Sequence, residues 1–196
     1  MKIRAKVGLG VAAAAALVTI GAAVFVASGV YNIGADDHHT KLVLAIIEEL
    51  RERSIAARSD SIAVPQLEDP SKIAAGAIWY STLCVGCHLA PGVTRSDLRK
   101  GLYPHPPNLA AEDTRDSRRA FWTIKHGIKM SAMPAWGTTL DDVAIWDIVA
   151  FVRQMPTMTA ETYQQLSKLG IRGTDPSAAS ALETSHPTAG DQRRGQ

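Results

Sequence analysis

Two cysteines and a histidine stand in the run Cys84-Val85-Gly86-Cys87-His88. Residues three apart on a helical turn share a face. Both thiols then point the same way, and the imidazole that follows sits beside them. A C-x-x-C-H run of this kind is the attachment signal for c-type haem. Each thiol adds to a vinyl group of the porphyrin, and the histidine reaches the iron. Two other chemistries compete. A redox dithiol of the thioredoxin kind wants a βαβ setting, and no such pattern surrounds the run. A structural zinc site wants four ligands, and the chain has only these two cysteines. One run implies one covalently bound haem c, on Cys84 and Cys87, with His88 as an axial ligand. It excludes a two-haem peroxidase.

An iron with one histidine takes a sixth ligand or keeps an open face. Met130 and Met133 compete for it. Pro134 pushes Met133 out of the helical region into an extended conformation, and an extended strap can carry a thioether sulfur across the open face. Met133 is therefore the expected second axial ligand. Met130, His126 and an open iron are the alternatives. On the histidine side, Gly101 to Leu109 is too rich in proline and glycine to be a helix. A backbone carbonyl in this rigid loop, with Pro107 as the candidate, is placed to accept the Nδ1 hydrogen of His88 and so fix its tautomer and ring orientation. His105 in the same loop is not needed as a ligand. Trp136 is a candidate to donate its indole hydrogen to a haem propionate, with simple packing as the alternative.

Several helices must position these residues. Ser71 to Cys84 reads as the first core helix, with Gly76 and Tyr80 on one face. Asp141 to Gln154 reads as the last, with Ile145, Trp146, Val149 and Val152 as its apolar stripe. A glycine on a helix face admits a close neighbour, so these two should cross at Gly76. Thr114 to His126 reads as a third helix, ended by Gly127. The region from 70 to 156 is a small core, and small domains bury too little surface to be comfortable. Haem would supply the missing apolar centre, so the apoprotein is expected to fold poorly.

Val7 to Val30 is uncharged and apolar, long enough to cross a bilayer. Lys2, Arg4 and Lys6 precede it, which keeps the N-terminus cytoplasmic and exports the rest. A cleaved signal peptide is the rival, with Val26-Ala27-Ser28 as a cleavage site. Thr40 to Arg58 follows as an amphipathic helix carrying Val43, Ile46, Ile47 and Leu50. Its stripe must be covered by the haem domain, the membrane surface or a partner subunit. Asp36-Asp37-His38-His39 reads as a solvated helix entry with Asp37 as N-cap, in preference to a metal or partner site. Ser59 to Pro70 reads as an extended linker. After Pro156, Thr159 to Leu169 forms a short helix, and Gly170 to Gln196 has the composition of a disordered tail. The organisation is an anchor over 1–30, a juxtamembrane helix and linker over 31–69, a compact domain over 70–156, and a short helix with tail over 157–196. The net charge of the 196-residue chain is +2, less than the three N-terminal cations supply. That leaves no electrostatic case for nucleic acid.

Gly76, Tyr80, the Cys84–His88 run, Pro107-Asn108-Leu109, Met133-Pro134 and an aromatic-rich final helix together resemble the class I c-type cytochrome family, over roughly Gly76 to Met155. The resemblance implies an all-α fold: a small cytochrome c-type haem domain with its first and last helices crossed, here behind a transmembrane helix and a juxtamembrane helix. It implies His88 and Met133 as axial ligands. A haem with both axial positions filled suits outer-sphere electron transfer rather than catalysis. The expected function is a membrane-anchored one-electron carrier of a respiratory chain, single-pass in the inner membrane with its haem domain periplasmic. Its partners would be a quinol oxidoreductase, a dehydrogenase or a terminal oxidase. The alternatives are a fixed subunit of a membrane dehydrogenase or oxidase, and a gas-binding sensor if Met133 is labile. Between Arg95 and Lys129, eight cations and four carboxylates (Asp97, Glu112, Asp113, Asp116) make either a weakly basic rim for acidic partners or an ordinary mixed surface.

Overall fold

The computed structural model of the chain describes residues 2–112, 114 and 116–173. Its described residues are mostly helical and form no strand; one isolated antiparallel bridge joins Ala90 and Val93. The chain divides into two compact units, 1–40 and 41–196.

The first unit is helix α1 (Lys2–Ser28) and a short coil. From Ile3 to Ser28 this helix is long and apolar enough to cross a membrane. In the coil, Asp37 is not an N-cap. It accepts a hydrogen bond from Asn32 at 3.0 Å, and the next helix begins only at Lys41. Tyr31 hydroxyl and His39 Nδ1 lie 2.8 Å apart. Among the described residues, no group of three His, Cys, Asp or Glu gathers as a metal site, here or elsewhere.

The second unit opens with α2 (Lys41–Ser59), followed by α3 (Pro70–Leu83), a short turn α4 (Val85–His88), another short turn α5 (Asp97–Lys100), α6 (Ser117–His126), α7 (Asp142–Gln154) and α8 (Ala160–Gly173). Caps set most of these ends. Asp69 Oδ1 accepts from the Ser71 amide at 2.8 Å, and Pro70 fills the first helical position of α3. Asp141 caps α7 through the Ala144 amide at 2.8 Å. Asp116 caps α6 through the Arg119 amide at 3.1 Å. That cap is why α6 starts at Ser117 rather than at Thr114, whose hydroxyl instead donates to the Val152 carbonyl at 3.2 Å.

Helices α3 and α7 cross at Gly76. A Cβ built on Gly76 would lie 1.9 Å from the carbonyl oxygen of Asp147, so only glycine permits this approach. One turn on, Tyr80 is fully buried against Phe151, with ring centroids 5.2 Å apart. Its hydroxyl donates to the Leu89 carbonyl at 2.6 Å, which ties the crossing to the residue just after His88. Tyr163 of α8 also packs on Phe151, with ring centroids 6.1 Å apart. A second core cluster stacks Phe121 of α6 on Trp146 of α7 at 4.1 Å, above Ile145, Val149 and Leu67.

Three stretches depart from the sequence expectations. The 60–69 segment is irregular but not a passive linker: Leu67 is 2% exposed in the core, and Ile62 packs against the same cluster. Helix α8 runs past Leu169 to Gly173, so the first residues of the expected tail are helical; residues 174–196 lie outside the described residues. In α2 the buried face is not the expected stripe of Val43, Ile46, Ile47 and Leu50. Ile55 is buried, and Glu52 pairs with Arg119 of α6, while Leu42, Ile46, Ile47 and Leu50 are exposed.

Candidate functional site

The Cys84–His88 run is a single helical turn. Cys84 caps the end of α3, and its carbonyl accepts from the amides of Cys87 at 3.1 Å and His88 at 2.9 Å. Both thiols are free and half-buried. Burial, with Cys87 nearby as the smaller cause, pushes the Cys84 thiol up to about 12.

His88 is held from two sides by one loop. Its Nδ1 lies 3.0 Å from the Pro107 carbonyl oxygen. A carbonyl oxygen can only accept, so Nδ1 carries the proton and Nε2 keeps its lone pair. The His88 carbonyl accepts from the Leu109 amide at 3.2 Å. Between these contacts, the Asn108 amide donates to Glu112 at 2.9 Å and the Asn108 carbonyl accepts from Ala111 and Glu112. Burial holds the imidazole below its ordinary pKa, against the opposing pull of the Pro107 hydrogen bond; the Arg99 charge lowers it further and Glu112 raises it. The ring is neutral at pH 7, the form a metal requires.

Arg99 is the residue the sequence did not single out here. Its Nη2 donates to the Pro106 carbonyl at 2.9 Å, bracing the loop that grips His88. Ser96 hydroxyl donates to the Gly86 carbonyl and anchors the same loop to α4. Spacing could not have announced either contact, because both depend on how the 89–107 loop closes.

The methionine strap is built on Gly127, which ends α6 with φ +63°. A Cβ there would lie 2.6–2.7 Å from Pro134 C, Ala135 N and Met133 O, so the Met133–Ala135 backbone passes directly over the glycine. The Ile128 amide donates to the Met133 carbonyl at 3.1 Å, and the Met133 amide donates to the Ser131 hydroxyl at 3.1 Å. Met133 is partly buried, whereas Met130 is fully exposed. Trp136 is half-buried and opens a 3-10 turn over Trp136–Thr138. His126 is exposed, with its ring 4.8 Å from that of Trp122. His105 is turned to the Arg99 carbonyl at 3.2 Å.

This donor set fits haem c. It offers two thiols within one turn, an imidazole with Nε2 unprotonated, and a partly buried thioether on a rigid strap. No solved structure matches the chain. Residues 71–152 match the family model described as cytochrome C oxidase, cbb3-type, subunit III. That match begins at the second residue of α3 and ends two residues before the end of α7. The matched stretch holds the helical pair crossed at Gly76 and the Cys84–His88 turn, and the family it matches is one of monohaem class I c-type cytochromes.

Proposed function

We propose that the chain is a one-electron carrier, a membrane-anchored c-type cytochrome passing electrons between respiratory-chain partners on the periplasmic side. The observation that carries this reading is the commitment of His88 Nδ1 to Pro107, which leaves Nε2 for iron. Cys84 and Cys87 would hold one haem c through thioethers, and Met133 would supply the second axial ligand. Bound there, haem supplies a reversible one-electron couple whose potential a His/Met pair raises. The work of the chain is to keep that couple rigid. Pro107 fixes the His88 ring, Gly127 seats the Met133 strap, and Trp136 at the foot of the strap would donate to a propionate. With both axial positions taken, no side is left open to a substrate. The apolar helix over Ile3–Ser28 would anchor the protein in the inner membrane, with Lys2, Arg4 and Lys6 on the cytoplasmic side.

An absorption spectrum of the purified protein with a redox titration tests this reading. The wild type should show a covalent haem c spectrum and the near-infrared charge-transfer band of sulfur–iron ligation. Met133→Ala should lose that band and Met130→Ala should keep it. A band that survives Met133→Ala sinks the ligand assignment. Carbon monoxide binding by the reduced wild type at neutral pH would favour a gas sensor instead.

A second reading, a fixed subunit of a membrane oxidase or dehydrogenase, is favoured by two observations. The matching family model is described as an oxidase subunit, and the first half of α2 exposes Leu42, Ile46 and Leu50. Isolation in mild detergent separates the readings: a carrier comes off alone, a subunit with its complex.

A further inference from the structure

The loop between His88 and Pro107 carries an open pocket of about 240 Å³ whose wall is cationic. Arg95, Arg99, Lys100 and His105 line it, with Thr94 and Leu89 between them. Lys100 shares its charge with Asp97 at 2.6 Å. No carboxylate among the described residues pairs with Arg95 or Arg99. Arg99 is half-buried and spends Nη2 on the Pro106 carbonyl. The guanidinium is a planar fork suited to oxyanions, and one bond to Pro106 leaves the rest of the fork unused.

We propose that this pocket binds a small oxyanion of the phosphate class, with Arg99 as its principal ligand and Arg95 and Lys100 adding charge, and that occupancy lowers the midpoint potential of a haem carried on His88. Binding stands on the pocket alone. The effect on potential rests on the function proposed above. It follows from position: Arg99 grips the Pro106 carbonyl, and the next carbonyl in the chain accepts the His88 Nδ1 hydrogen bond. Neutralising a cation there favours the ferric over the ferrous state, because the oxidised centre carries one more positive charge. Of the four basic groups lining the pocket only Lys100 has a carboxylate partner among the described residues, at the point where the loop bears on His88.

The experiment is a calorimetric titration of the full holoprotein in detergent with inorganic phosphate, chloride holding ionic strength constant, run beside a potentiometric titration of the same samples. Saturable uptake of one phosphate is expected, with the potential falling and levelling off over the same concentrations. Arg99→Gln should lose both responses, and Arg118→Gln, outside the pocket, should keep both. Arg95→Gln leaves the Pro106 bond intact and should weaken phosphate binding severalfold, which guards against misfolding in Arg99→Gln. Binding that never saturates, or that Arg99→Gln leaves unchanged, overturns the proposal. So does a wild type that takes up no phosphate while Arg99→Gln shifts the potential, because Arg99 is then already held by a haem propionate. A protein without a haem c spectrum refutes the carrier reading, and the calorimetric comparison of wild type with Arg99→Gln still decides the pocket.

Discussion

Asp147 sits at the tightest point of the helix crossing. Its main-chain oxygen is the atom that Gly76 must clear, and its Oδ1 is buried without a hydrogen bond. Burial raises the carboxyl above its ordinary value of 3.8; Lys72 pulls it back, and Asp141 and Asp69 push it further up. A carboxyl that binds its proton more tightly when folded than when unfolded costs stability once ionised. The cost is absent below about pH 3.8, grows as pH rises through the folded pKa, and is complete at neutrality. Asp147→Asn should therefore raise the melting temperature at pH 7. The residue is only half-buried, so solvent screening limits the gain to about 0.5 kcal/mol, or about 2 °C. The gain should vanish in melts at about pH 3, and an equal gain there would refute the assignment to ionisation. At this scale the Cys84–His88 run and the Pro107 contact were legible in the sequence, because thiol spacing and a proline-rich loop carry their own geometry. Asp147 and Arg99 were not. Each looks like an ordinary surface charge until the chain closes a helix or a loop over it.

Periodicity and punctuation made the helices legible, and their ends moved where a side chain competed for an amide. Asp116 took the Arg119 amide, so α6 starts after it rather than at Thr114. The Gly76–Tyr80 spacing announced the α3–α7 crossing, since a missing side chain four residues from a ring leaves room for a neighbour. Gly76→Ala tests that contact. A Cβ 1.9 Å from a backbone oxygen cannot be relieved by a rotamer change, so the helices must part. The expected loss is about 3 kcal/mol, at the upper end for overpacking, read by denaturant unfolding of the holoprotein. A loss under about 1 kcal/mol would mean the crossing is looser than described. Helix α2 was only half legible. Of the stripe read from the sequence, Ile46, Ile47 and Leu50 are exposed, and the residue the structure buries is Ile55, which lay outside it. Nothing in a regular pattern of apolar residues says where a neighbouring helix ends. Ile55→Ala should cost about 2–5 kcal/mol in the isolated protein, whereas Leu42→Ser and Ile46→Ser should stay within about 0.5 kcal/mol.

The family match covers 71–152, and the core reaches beyond both of its ends. Leu67 lies before it and Met155 and Tyr163 after it; each is 5% exposed or less and packs into the clusters that hold α3 against α7. Ile55 lies further upstream, on a helix paired with α6 through Glu52 and Arg119. Small domains have little stability to spare, and burying one large apolar side chain contributes about 1.5–3 kcal/mol. Losing Leu67 and Tyr163 together should therefore remove a large share of the total. Two holoprotein fragments test this, each expressed behind a cleaved export signal so that haem can be attached. One spans residues 41–173 and the other 70–156. The longer should unfold in one cooperative step. The shorter should melt at least about 10 °C lower, and its Tyr80–Leu89 hydrogen bond should weaken first, because Phe151, which packs on Tyr80, has lost its contact with Tyr163. Amide exchange at Ala90 and Val93, beside that bond, reports this directly. Equal melting temperatures would mean that the haem-binding segment carries its own stability and that the flanking helices serve something other than the fold.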